Sequence, residues 1–291
     1  MTERYDIEKK LDSIENLPTL PVLAARLLEL LGKTDVSMNE ISKLMTVDPS
    51  ITAKVLKIAN SAYYGLRKKI DTLRMALVVL GVNEVSNIIL GISLFKVFPE
   101  GNEGAVFTQE RFWEHSVVTG HICRYLAKKL GIRMHGEEFT CGLLHDIGKM
   151  ILDQFFHDEF NRVLEKANDS GEALIEVEQS VLKTNHCEIG AWLAKKWKIP
   201  EYISESIHYH HKVEKAVINP KLTAIVCLSN LFAKVNGVNL VHEADVGFKI
   251  KYSSAWKILS PHIKNLDLEE FNKSLQQEIV IAKDLLEKLR S

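Results

Sequence analysis

The chain is poor in residues that interrupt helices, with 7 prolines and 15 glycines in 291 residues, and it has no low-complexity segment. Turn-rich architectures need denser punctuation than that, and no run alternates apolar with polar residues as a half-buried strand does. Cysteine is equally sparse. Cys123, Cys141, Cys187 and Cys227 are far apart and include no Cys-x-x-Cys pair, which argues against a zinc knuckle or a disulfide framework and for buried free thiols. Neither sign of charge dominates: 37 basic and 38 acidic side chains leave a net charge of −1. A broad electrostatic footprint for DNA or a membrane surface is therefore not expected, although a local basic groove is still allowed. The longest apolar stretch, Met75 to Phe98, is cut by Asn83, Glu84, Ser86 and Asn87, groups that lipid would leave without partners. The charged opening Met1-Thr2-Glu3-Arg4 has no signal-peptide core, so the expectation is a cytoplasmic protein. Also lacking are a Gly-rich phosphate cradle, a Gly-x-Ser-x-Gly elbow and a helix-turn-helix with an Arg- and Asn-rich outer face.

What remains is an ordinary globular composition, 46% hydrophobic and 26% charged, with apolar positions recurring every three or four residues almost throughout. That pattern predicts an all-α fold. A prior of about 150 residues per domain gives two subdomains. The most loop-like stretch, Pro99 to Thr108, places their boundary, dividing the chain into an N-terminal helical bundle (1–103) and a second helical unit (104–291). In the first, Pro21 and Pro49 sit where a helix start tolerates the missing donor, Ser37 and Glu40 have capping-box spacing, and Asp71 and Asn83 are candidate caps. In the second, a long helix is expected from Gln109 to Leu130 with Gly131 as its stop. Shorter helices follow. Leu268, Phe271, Leu275, Ile279, Ala282, Leu286 and Leu289 mark a long amphipathic helix near the end, which packs on its own domain or, as the alternative, on a second copy.

The side chains with chemistry are chiefly histidines. His145-Asp146 lies in Cys-Gly-Leu-Leu-His-Asp-Ile-Gly-Lys, where neighbouring nitrogen and oxygen donors stand beside Gly148, which allows close packing. Such a pair can bind one divalent ion, and its Asp can bridge two. His115 on the long helix, His186 at the start of a later one, and His208, His210 and His211 at the end of another provide company. Spacing alone leaves the alternative of hydrogen-bonded or exposed imidazoles open, since neutral histidine is often half-buried. Other features have plain structural readings. Trp192 and Trp197, flanking Lys195-Lys196, are placed in the core and at its rim, Asn60 to Gly65 ends a helix, and the basic residues Lys54, Lys57, Arg67, Lys68 and Lys69 are solvated.

The order His115, His145-Asp146, His186-Cys-Glu-Ile-Gly190 and His210-His211 resembles the HD superfamily of metal-dependent phosphohydrolases, and within it the HD-GYP branch that hydrolyses cyclic dinucleotides. The first subdomain points to another branch. Leu17-Pro-Thr-Leu-Pro21, the stretch from Asp48-Pro49 to Tyr63-Tyr64-Gly65, and Ala76-Leu-Val-Val-Leu-Gly81 resemble the HDOD family, and together the likeness covers roughly residues 12–235. It implies an HD-domain/PDEase-like helical fold with an N-terminal bundle, serving as a bacterial signal-transduction output module.

The same resemblance implies site residues. His115, His145, Asp146, His186, His210 and His211 match the HD-GYP ligand positions, and Lys149 matches the lysine near the scissile phosphate, so Asp146 and Lys149 would be catalytic in an active member. One or two divalent transition ions would be held, with iron, nickel, zinc or manganese as the fitting metals. This chain departs from the pattern in three places. The closing Asp is Asn230, a weaker neutral ligand; Arg111 stands where some trinuclear members carry Glu; and the Gly-Tyr-Pro segment is missing after His211. Losing a hard anion weakens magnesium or manganese most and spares ions that favour imidazole. The resulting expectation is a regulatory module with a degenerate metal site, acting on a signalling protein partner or a nucleotide ligand. A metal-dependent phosphodiesterase is the alternative.

Overall fold

The computed structural model describes residues 7–12, 14, 16–31, 40–41, 49–61, 63–98, 107–241, 243, 250–263 and 266–290. Among these, regular structure is entirely helical. Ser37 of the expected capping box, Asp48, and residues 99–106, which hold the expected subdomain boundary, lie outside the described residues.

The first half contains α1 (Ile7–Asp12), α2 (Val22–Leu31), α3 (Pro49–Ala59), α4 (Leu73–Val79) and α5 (Val82–Leu94). Helix α5 packs against α2, α3 and α4, and everything from Val85 to Leu94 on it is buried. The polar residues that break this apolar run are satisfied inside protein. Asn87 donates to the Gly136 carbonyl at 2.9 Å and accepts from Thr140 Oγ1 at 2.6 Å, while Ser86 and Ser93 donate one turn back to Val82 and Ile89. No described helix is long and apolar enough to cross a membrane. The expected caps shift slightly: Thr72, not Asp71, caps α4 by accepting from Met75 N–H, and α5 starts after Gly81, leaving Asn83 inside it. Asn60 has a longer reach than ending α3. Its side chain brackets Ile70, accepting from its N–H and donating to its carbonyl at 2.7 and 2.8 Å, and so closes the intervening loop.

The second half is organised around α6 (Gln109–Lys129). Thr108 caps its start, and at its end Ile132 N–H reaches Ala127 O while Gly131 N–H reaches Lys128 O, the pairing expected of a left-handed glycine stop. Helix α7 (Glu137–Leu144) crosses α6 at contact distance because both crossing points are glycine: a Cβ on Gly142 would stand 2.6 Å from Gly120 Cα. Next come α8 (Gly148–Phe155), α9 (His157–Ser170), α10 (Leu174–Leu182), α11 (His186–Lys196), α12 (Glu201–Tyr209), α13 (Pro220–Val235), α14 (Ser254–Ile263) and α15 (Leu268–Arg290).

The terminal amphipathic helix packs on its own chain, and on both halves of it: α15 lies against α6, α3 and α5, with Leu289 meeting Gly91. The buried apolar side chains from Ile7 to Leu289 accordingly form one contiguous core. A polar seam runs beside it. Arg124 on α6 donates to both carboxylate oxygens of Glu84 on α5 at 2.7 and 2.6 Å, and Tyr64 OH donates to the same carboxylate. His121 bridges Tyr63 OH at 3.0 Å and Glu278 of α15 at 2.7 Å, tying the Tyr-Tyr-Gly loop to the last helix.

The hydrogen bond from His121 holds the Glu278 carboxyl below the ordinary glutamate range. A carboxylate lowered on folding stabilises the fold fully above its unfolded pKa of about 4.3 and loses that contribution as pH falls through the lower folded value. Glu278→Gln is expected to be less stable than wild type at neutral pH and to show a shallower fall of stability on acidification below about pH 5. Urea titrations at stepped pH would reveal this. Parallel curves for the two proteins would refute it.

Candidate metal centre

Four helices and the turn between α7 and α8 deliver one cluster. His115 projects from the middle of α6; His145 caps the end of α7 and Asp146 follows in the turn to α8; His186 opens α11; His210 and His211 follow α12. The approach of α8 to α11 depends on Gly148, since a Cβ there would stand 2.0 Å from the His186 carbonyl oxygen and 2.7 Å from Gly190 N. This close packing brings Asp146 alongside His186. The start of α11 is fixed by Asn185, whose side chain accepts from the Cys187 and Glu188 N–H groups.

Asp146 is the centre of the arrangement. Its Oδ1 faces His186 Nε2 at 3.2 Å and His210 Nε2 at 3.5 Å, and its Oδ2 faces His145 Nε2 at 3.3 Å and His115 Nε2 at 3.5 Å. One carboxylate thus stands between two imidazole pairs. His211 completes the second group, its ring 4.4 Å from that of His210 and 5.3 Å from that of His186. Lys149, one turn on, places Nζ 2.5 Å from Asp146 Oδ2.

The outer nitrogens of the rings are committed elsewhere. Nδ1 of His115, His145 and His210 donates to the carbonyls of Val238, Gly142 and Ile207 at 2.8, 2.8 and 2.9 Å, and Nδ1 of His186 donates to Glu178 Oε2 at 2.6 Å. Those bonds select the tautomer whose Nε2 lone pair points inward, the usual support of a metal-ligating histidine. Nε2 of His115, His145 and His186 and Oδ1 of Asp146 are buried with no hydrogen-bond partner. Buried polar atoms are normally paired, and several unpaired acceptors aimed at a shared centre are the arrangement that a cation resolves. The residues present therefore fit a divalent metal.

Charge agrees with this. Burial holds His115 and His210 down at about 3, and His211 also well below the usual imidazole range, so these rings are neutral donors at neutral pH. Burial alone would raise the Asp146 carboxyl, but the positive charge beside it, with the Lys149 ammonium at Oδ2, outweighs that and holds it well below the usual carboxylate range. Lys149 loses hydration in the same way, yet the charges of Asp146 and Glu178 keep it an ammonium.

Of the residues singled out in the sequence, His115, His145, Asp146, Lys149, His186, His210 and His211 meet. His208 does not; it stacks on Tyr209 with ring centroids 4.2 Å apart. Asn230 lies on α13, which packs against α6, and its Oδ1 is buried and unbonded. Arg111 turns away to the Asn239 carbonyl at 3.1 Å. Where the Gly-Tyr-Pro segment is missing, the buried Glu205 organises the return to α13 by accepting the N–H groups of Val217, Ile218 and Asn219 at 2.6 to 2.7 Å. Two further participants lie outside the sequence pattern. Glu178, from the middle of α10, accepts both the backbone N–H and the Nδ1–H of His186, and Cys187 joins the second imidazole group. Only the adjacency of Cys187 to His186 could have pointed to it; Glu178 reaches the site through tertiary packing.

An all-helical chain with a bundle joined to an HD-type histidine and aspartate cluster defines the class. The HDOD domain model matches residues 17–213, and the chain belongs to that family. Among solved structures, an HDOD domain protein of unknown function from Geobacter sulfurreducens superposes with a TM-score of 0.82 at 24% identity, covering 96% of each chain. A phosphohydrolase candidate from Shewanella amazonensis SB2B superposes with a TM-score of 0.71 at 26% identity, covering 96% of this chain and 97% of the other. An uncharacterised protein of Treponema pallidum (strain Nichols) is 24% identical over 222 residues, which is 76% of this chain and 42% of that relative. The chain thus spans less than half the length of this relative.

Proposed function

We propose that this HDOD chain is a bacterial signal-transduction output module in which the HD-type centre holds one or two divalent transition ions, with iron, nickel, zinc or manganese as candidates, as a structural element. It acts by binding a signalling protein or a nucleotide without turning it over. The observation that carries this reading is burial. His115, His145, Asp146, Lys149, His186 and His210 are all at most 2% exposed, and a hydrolytic metal site needs an open position for water and a phosphodiester.

Two further features support it. The Lys149 ammonium is spent on Asp146 Oδ2 and is not free to meet a phosphate oxygen. Where the HD-GYP resemblance implies a closing Asp, this chain has the neutral Asn230. A bound ion would supply Lewis acidity and fixed positive charge. The chain's own residues orient it, through the Nδ1 bonds to backbone carbonyls and Glu178, and exclude water from it. What the ion would do for the fold is hold α6, α7, α11 and the end of α12 at one point.

The second reading is a phosphodiesterase for a cyclic dinucleotide or a related nucleotide. It is favoured by the placement of Asp146 between two imidazole groups, the geometry of a bridging ligand. Elemental analysis of protein purified without an affinity metal, followed by a phosphodiesterase assay on the same sample, separates the two. Bound transition metal without product is the expected result. Metal-dependent hydrolysis that Lys149→Ala abolishes and Asn230→Asp raises would establish the enzyme instead.

A further inference from the structure

The second imidazole group contains a sulfur. Cys187 follows His186 in the first turn of α11, is 3% exposed, and has its Sγ 3.8 Å from both ring nitrogens of His210. One donor atom from each of His186, Cys187, His210 and His211 lies within 4.8 Å of all the others. His186 Nε2, almost wholly buried, has no partner of its own.

The sulfur–nitrogen separation resembles one edge of a coordination tetrahedron. An ion about 2.3 Å from sulfur and about 2.05 Å from nitrogen, at a tetrahedral angle, sets the two donors about 3.6 Å apart. The observed 3.8 Å differs by a small side-chain rotation. Among the described residues, the remaining cysteines, Cys123, Cys141 and Cys227, belong to neither candidate group. His211, unlike the other three donors, is only partly buried.

We infer that Cys187 is a metal ligand, and that His186, Cys187, His210 and His211 form a three-histidine, one-thiolate site for a thiophilic divalent ion, zinc or iron(II). The inference rests on the metal reading above and narrows it. Soft sulfur beside imidazole disfavours magnesium and manganese, which take oxygen donors, and a fully protein-ligated tetrahedron is the signature of a structural site. As the metal–sulfur bond forms, the thiol S–H bond breaks and its proton leaves to solvent. The competing arrangement is a protonated Cys187 that donates S–H to His210 Nε2.

Cobalt(II) substitution of the full chain, after removal of resident metal by chelation, distinguishes these. The expected spectrum has intense visible bands of tetrahedral cobalt together with a near-ultraviolet sulfur-to-cobalt charge-transfer band. Cys187→Ser is expected to lose the charge-transfer band while cobalt remains bound. If that variant does not fold by circular dichroism, X-ray absorption at the zinc edge of the zinc-loaded wild-type chain decides. A sulfur shell at about 2.3 Å supports the site, and a shell of nitrogen and oxygen alone at about 2.0–2.1 Å overturns it. Cobalt bound without the charge-transfer band sinks the thiolate ligand and leaves the metal reading standing. A chain that takes up neither cobalt nor zinc sinks both.

Discussion

Gly148→Ala is expected to cost at least about 4 kcal/mol of folding stability and to abolish retention of metal. The added Cβ would stand 2.0 Å from the His186 carbonyl oxygen, 2.9 Å from its carbonyl carbon and 2.7 Å from Gly190 N. All three are backbone atoms. No rotamer change relieves such a contact, so α8 must withdraw from α11, and Asp146 withdraws with it from His186 and His210. The comparison variant is Gly131→Ala. That glycine is left-handed at φ +65, and an added methyl there would meet nothing within 4 Å, so its substitution costs only the conformational penalty, about 1 kcal/mol. Urea unfolding of both variants, with metal content measured on the same samples, checks the contrast. A Gly148→Ala protein as stable as Gly131→Ala would mean that the helices do not touch here.

That contrast bears on what the residues themselves make legible. Helix periodicity locates the long elements, including α6 and α15, because each buries a continuous stripe whose spacing is a property of the local chain. The histidines and Asp146 are legible through a spaced pattern that several helices must satisfy at once, and the structure brings all six of those ligand candidates together. Tertiary contacts without a local period are not legible. Glu178, eight residues before His186, meets it across the turn that joins α10 to α11, and Glu205 acts on Val217 to Asn219 across another turn. Glu84, Ser86 and Asn87 register in the sequence only as interruptions of an apolar run. Two of them prove to be joints between the halves: Glu84 receives Arg124, and Asn87 receives Thr140. Such pairings are set by which helices become neighbours, and no window of consecutive residues contains that information.

The other large effect concerns the charge at the centre of the cluster. In metal-free protein, Asp146→Ala is expected to cost about 3–5 kcal/mol, because it leaves the Lys149 ammonium, 2% exposed, with no counter-charge within hydrogen-bonding reach. Lys149→Met alone strands the Asp146 carboxylate among neutral rings and is costly for the same reason. The double variant removes both charges and is expected to recover much of the loss, so that the two effects fail to add by more than about 1 kcal/mol. Metal changes the balance for one single variant only. An ion held by His115, His145 and Asp146 supplies the positive charge that Lys149→Met removes, so that variant is expected to be markedly less destabilised in metal-loaded than in chelated protein, whereas Asp146→Ala stays damaging in both. Urea titrations of the four proteins with and without chelator measure each effect. If Lys149→Met costs the same in both conditions, Asp146 does not share its charge with an ion held by His115 and His145.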